Sequence, residues 1–266
     1  MKKLVLALSA VAALSAPALA ADMAPRAYTK APPPLIAPVV NWTGCYVGGG
    51  GGYGLWNQEN TTFVDGPPRT QLTDTATTGG RGYFGTVQAG CDYQFPVGTY
   101  NFVIGAFGDY DFASLKGKHA SPVFAIVADE KMSSAWAVGG RAGWLAFPSL
   151  LTYFSAGYTQ ATFDRQNYTN NFGPPFGIPA FIFTDKRTYK GWFIGAGDEY
   201  ALSFLPGLFW KTEYRYSEFD RANVSINAIP GGLPTGVSET ERFREHSFRS
   251  ELVYRFNWAG PVVAKY

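Results

Sequence analysis

Eight segments of this chain alternate apolar and polar residues with period two, and the gaps between them alternate short and long. The segments are Trp42–Asn57, Gly79–Phe95, Tyr100–Ala113, Lys131–Phe147, Leu151–Asp164, Arg187–Leu202, Leu208–Arg221 and Glu241–Trp258. Period two is the strand signature. Each segment can cross a bilayer at a tilt, for which about 9–11 residues suffice. The short gaps are Pro96–Thr99, Pro148–Leu150 and Ser203–Gly207. The long ones are Gln58–Gly79, Ser114–Glu130, Arg165–Lys186 and Ala222–Thr240. Tight turns at one end and loops at the other are the layout of barrels that span a bacterial outer membrane. A soluble barrel has no reason to sort its connections in this way. The expected fold is all-β: an eight-stranded antiparallel up-and-down transmembrane β-barrel with short periplasmic turns and four long extracellular loops.

The two faces of the segments sort accordingly. Tyr83, Val87, Ala89, Cys91, Tyr93 and Phe95 share one face, against Thr86, Gln88, Asp92 and Gln94. Leu208, Trp210, Thr212, Tyr214 and Tyr216 oppose Lys211, Glu213, Arg215 and Ser217. Phe248, Leu252, Tyr254 and Phe256 oppose Glu245, Arg249, Glu251 and Arg255. The charged face cannot lie in lipid, so the apolar face points outward. In the fifth segment the pattern is weaker and favours Phe154, Ala156 and Tyr158 as outward. Aromatics near the segment ends, such as Trp42, Tyr93, Phe95, Tyr100 and Trp258, fit an interfacial girdle. Aromatics make up 17% of the chain and charged residues only 16%, which favours a membrane barrel over a soluble sandwich.

The ends of the chain suggest export. Residues 1–20 read as a cleaved signal peptide: Met1-Lys2-Lys3, the apolar Leu4–Ala16 and the site Ala18-Leu19-Ala20. Residues 21–41 are Ala- and Pro-rich and read as a periplasmic arm. The barrel is expected over 42–258 and a short tail over 259–266. With Lys2 and Lys3 removed, 20 basic residues balance 20 acidic ones. That balance argues against a nucleic-acid partner.

"GCYVGGGGGYG", Gly44–Gly54, then needs a role. No Lys-Ser/Thr pair follows it and no helix pattern begins after it, so it is not a phosphate loop. It reads as a bare first strand. Inward Gly48, Gly50, Gly52 and Gly54 leave room for bulky inward side chains, while Gly49 and Gly51 face out.

The inward charges are Arg141, Glu199, Lys211, Glu213, Arg215, Arg249, Glu251 and Arg255. Mirroring the sixth and seventh segments about their turn sets Glu199 opposite Lys211. An eight-stranded barrel is just wide enough to be filled by side chains. Such charges form either an ionic plug or a narrow ion path, and the need to pair buried charges favours the plug. Cys45 and Cys91 fall on the lipid face of neighbouring strands, near the periplasmic end. They are expected to form a cross-strand disulfide, the alternative being two small apolar residues facing lipid. His119 and His246 are the only histidines, and with scattered carboxylates they make no metal-site spacing. Glu245, His246 and Ser247 cannot converge, because adjacent strand residues point to opposite faces. No enzyme activity and no cofactor are expected. Haem capture would fall to His119 in its long gap.

"NWTGCYVGGGGGYG" resembles the W-T-G-x-Y-V-G-G opening of the small opacity-type, porin-like outer-membrane barrels of alphaproteobacteria. "GWFIGAGDEYAL", "KTEYRYSEF" and "HSFRSELVYRF" resemble that family's last three strands. The resemblance implies an abundant surface barrel; members are structural proteins, adhesins, antigens or weak porins. The chain departs from the family at Asp198, on the lipid face, at Glu251, where a glycine is usual, and in its extension beyond Phe256. The expected role is structural and surface-exposed, with a narrow porin as first alternative and a soluble lipocalin-like binder as second. Expected partners are outer-membrane lipid and lipopolysaccharide, the outer-membrane assembly machinery and a loop-bound surface ligand.

Overall fold

A computed structural model describes residues 40–121, 126–170 and 181–256. The expected signal peptide, residues 21–39 of the expected arm, Trp258 and the expected tail lie outside the described residues. Every regular element among the described residues is a strand. Eight form the wall: β1 (Gly44–Val64), β3 (Ala76–Val97), β4 (Tyr100–Ser121), β5 (Ile126–Phe147), β6 (Leu150–Phe163), β9 (Arg187–Ala201), β10 (Leu208–Phe219) and β12 (Pro234–Phe256). Each pairs antiparallel with the next, and β1 closes the ring against β12 from Cys45↔Phe256 to Val64↔Val237. Four short strands complete the set: β2 (Thr70–Gln71), β7 (Gln166–Asn170), β8 (Ile182–Thr184) and β11 (Ala222–Ala228).

The three short turns lie where expected. Two of them are two residues long, and in the one that joins β3 to β4, Gly98-Thr99, Gly98 supplies the positive φ of 60° that a side chain would disfavour. At the other end stand the four long connections. Most of those stretches are strand. β1 runs on to Val64, β3 starts at Ala76, and β4 and β5 extend to Ser121 and from Ile126. The other three walls break for two residues at Asp164-Arg165, Asp185-Lys186 and Asp220-Arg221, then resume as β7, β8 and β11. Above the breaks the ring is rebuilt by pairings β5–β7, β7–β8, β8–β11 and β11–β12. The barrel therefore rises as a second storey above the membrane.

The outer face carries the membrane band. Tyr83, Phe112, Phe154, Trp210 and Phe248 are exposed there. Trp136, Tyr158, Trp192, Tyr216 and His246 follow one another on five adjacent strands and form an upper girdle. The next outward residues on three of these strands are charged: Lys190, Glu218 and Arg244. That change marks the upper edge of the apolar band. Phe154 and Tyr158 point outward, as the weaker pattern of that segment suggests. Asp198 also points outward, where its Oδ1 accepts a 2.6 Å hydrogen bond from Thr152 Oγ1.

The lumen is not uniformly polar. At the periplasmic end Trp42, Tyr46, Val103, Phe107, Tyr153, Phe193, Phe209 and Val253 pack inward. At the waist Trp56, Phe84, Leu115, Phe163, Tyr189, Phe219 and Phe243 form a second layer, with Phe163 and Phe243 ring centroids 4.9 Å apart. Strand alternation alone places these on the inner face. Their bulk is accommodated because β1 is bare opposite them.

Candidate functional site: the charged lumen

The inward charges of six strands interleave with the periplasmic aromatic layer and reach towards the waist. Arg141, Glu199, Lys211, Glu213, Arg215, Arg249, Glu251 and Arg255 are all buried there. Glu199 and Lys211 are register partners on β9 and β10. Their charges nevertheless pair elsewhere. Glu199 accepts from Arg141 Nη1 at 2.8 Å and from Arg255 Nη2 at 2.7 Å. Asp92 closes the square, accepting from Arg141 Nε at 2.9 Å and Arg255 Nη1 at 2.6 Å. Arg255 also donates to the Trp42 carbonyl at 3.0 Å and lies over the Trp42, Tyr46 and Phe209 rings.

A second group sits nearer the waist. Lys211 Nζ donates to Gln88 Oε1 at 2.8 Å, with Glu213 at 3.6 Å and Glu251 at 3.8 Å. Gln88 in turn donates to Glu251. Arg215 bridges Glu213 at 2.8 Å and Asp109 at 2.9 Å, while Arg249 reaches Asp111 at 2.9 Å. Tyr153 OH donates to Glu213 Oε2 at 2.8 Å. Asp92, Asp109 and Asp111 complete the network without having been singled out from the sequence. Their inward parity is legible, but their partners are across the lumen rather than on adjacent strands.

A third group lies above the waist and outside the membrane band. His119, Glu130 and Glu239 lie in the long connections and take buried inward positions of the upper storey, beside Arg187 and Glu241, which open the sixth and eighth segments. Arg187 Nη2 donates to Glu130 Oε1 at 2.7 Å, and Arg187 Nε lies 3.0 Å from Glu241 Oε2. Burial pushes the Glu130 carboxyl up to about 7, against the pull of Arg187. Burial opposes charging of His119, but the adjacent Glu239 and its neighbouring carboxylates outweigh it and raise the imidazole above its ordinary value. Glu130 escapes a sequence reading because the wall bulges between Met132 and Ser134. One extra residue reverses the strand's parity, so Glu130 and Arg141 face the same lumen.

The histidine that haem capture would have used is not in a loop. His119 lies in β4, with no exposed surface. Glu245 and Ser247 point inward and His246 outward, where its Nδ1 is 2.7 Å from Tyr214 OH. Cys45 and Cys91 are direct register partners on β1 and β3, with an S–S distance of 2.05 Å and Cα atoms 3.9 Å apart.

A closed eight-stranded wall with an apolar outer band, an aromatic girdle and a charged interior defines a transmembrane barrel of the Gram-negative outer membrane. A model described as the outer membrane protein beta-barrel domain matches residues 6–256, and the chain belongs to that family. It is similar to the 31 kDa outer-membrane immunogenic protein of Brucella melitensis biotype 1, at 29% identity over 262 residues. The match covers 96% of this chain and all of the relative. The Brucella suis biovar 1 protein of that name gives the same figures. Among solved structures, the outer membrane protein OprG from Pseudomonas aeruginosa is 12% identical, covering 82% of this chain and 99% of its own, with a TM-score of 0.45. Neisserial surface protein A is 14% identical, covering 79% and 99%, with a TM-score of 0.32. The protein resides in the outer membrane, which removes the soluble lipocalin-like alternative.

Proposed function

We propose that the protein is a closed structural barrel that presents its upper storey at the cell surface and conducts no solute. The observation that carries this reading is the lumen. Among the inward aromatic side chains, buried guanidinium and carboxylate groups bridge strands from opposite sides of the ring, as Arg215 does to Asp109. Paired charges of this kind fill a narrow barrel and hold its cross-section fixed. The name of the Brucella relative, an immunogenic outer-membrane protein, supports exposure of the upper storey. Of the outward cations just above the girdle, Arg242 and Arg244 pair with Glu218 and Glu59, and Lys190 suits the phosphates of lipopolysaccharide.

Planar-bilayer recording of the wild-type protein tests closure. The expected trace has no stable open level. A large, long-lived conductance would replace this reading with the porin.

The bridge between Cys45 and Cys91 belongs to the same proposal, as a staple across the glycine strand. Thiol titration of the denatured protein is expected to find no free thiol without reductant and two with it. Two free thiols without reductant would remove the staple.

A further inference from the structure

The upper storey holds a cluster that closure of the barrel does not use. His119 on β4 and Glu239 and Glu241 on β12 bring one imidazole nitrogen and two carboxylate oxygens within 4.8 Å of one another. All three are buried. Glu130 adds a third buried carboxylate, and against these three the described residues set one guanidinium, that of Arg187. Three buried carboxylates beside one fixed cation need further positive charge, which a proton or a bound metal ion can each supply.

A second observation points the same way. His119 Nε2 lies 3.2 Å from Glu239 Oε2 but off-line, and it makes no hydrogen bond. Glu130 Oε2 also lacks a partner. So do both amide atoms of Gln58, which is fully buried one inward step from Asn60. Asn60, the register partner of Glu241, stands 3.4 Å from His119 Nδ1. With its amide turned, Asn60 would accept from Nδ1–H and leave Nε2 free to ligate, as a metal-bound imidazole requires.

We propose that His119, Glu239 and Glu241 form a binding site for a divalent first-row transition cation. The donor set decides the class. Imidazole suits zinc and its neighbours, while carboxylates alone would suit magnesium or calcium. Zinc ligands lie about 2.0–2.2 Å from the ion, so convergence requires rotation of the three side chains against the hydrogen bonds that Thr62 and Tyr168 donate to Glu239 and Tyr189 donates to Glu241. Arg187 remains on Glu241 and Glu130 as the second cation of the chamber.

The test uses the full chain refolded in detergent with excess zinc chloride, then desalted and assayed for retained metal. One zinc per chain is expected. His119→Gln and Glu239→Gln should each lower retention at least tenfold, and His246→Gln, which alters the other histidine, should not. Refolding the wild type with cobalt supplies a readout that needs no variant: a visible ligand-field band is expected. Folded wild type that retains no zinc and shows no cobalt band overturns the proposal. So does His119→Gln that retains zinc like wild type, or His246→Gln that loses it.

Discussion

Gly50→Leu is expected to abolish the folded, heat-modifiable form of the protein, and Gly49→Leu to retain it. The two glycines are neighbours on β1 and have the same composition to offer. They differ only in which side of the wall they face. A Cβ on Gly50 would lie 2.2 Å from the Ser250 carbonyl oxygen and 2.7 Å from the Glu251 Cα. Both are backbone atoms of the strand that closes the ring, so no rotamer change relieves them. A Cβ on Gly49 would meet only the Thr86 carbonyl oxygen, at an ordinary 3.5 Å. Overpacking of a side-chain core typically costs about 1–3 kcal/mol. Here the collision is with the closing seam itself, and the expected outcome is failed closure. Gly50→Ala should already reduce the folded fraction on a semi-native gel. Equal yields from Gly49→Leu and Gly50→Leu would show that the bare strand is not a steric requirement.

Much of the wall was legible because lipid imposes a contrast on each strand. Tyr83 out and Thr86 in, or Trp210 out and Lys211 in, can be read from alternation alone. That contrast vanishes above the girdle. Along β1, inward Gln58, Asn60 and Thr62 alternate with outward Glu59 and Thr61. Both faces are polar, one because it lines a hydrogen-bonded chamber and the other because it meets water, so the stretch looks like a loop. Simple continuation of parity from Trp56 would have found Gln58 and Asn60. Continuation from Glu245 through Phe243 would have found Glu241 and Glu239. Glu130 lay beyond that method, since the bulge at Ser133 breaks the parity. Ion-pair partners were illegible for another reason. Arg141 on β5 reaches Asp92 on β3, and Arg215 on β10 reaches Asp109 on β4. Such contacts depend on barrel width and stagger, which alternation does not encode.

Glu199→Ala is expected to destabilise the refolded barrel by about 3–5 kcal/mol, because removing one member strands buried charges. Glu199 accepts from two guanidiniums, those of Arg141 and Arg255, and Asp92 is the other carboxylate they share. Without Glu199, two fixed positive charges face one negative charge in a site closed to water. The neighbouring Asp198→Ala is the control. Asp198 points outward and bonds Thr152, so its loss should stay within about 0.5 kcal/mol, the usual range for surface changes. Adding Arg141→Met to Glu199→Ala restores one-to-one pairing between Arg255 and Asp92. The double variant is therefore expected to be more stable than Glu199→Ala alone, a coupling that independent contacts would not produce. Urea unfolding in detergent, followed by tryptophan fluorescence, measures all three. If Arg141→Met instead adds its own full cost to that of Glu199→Ala, the square of charges is not a unit, and the lumen is held by its aromatic layers.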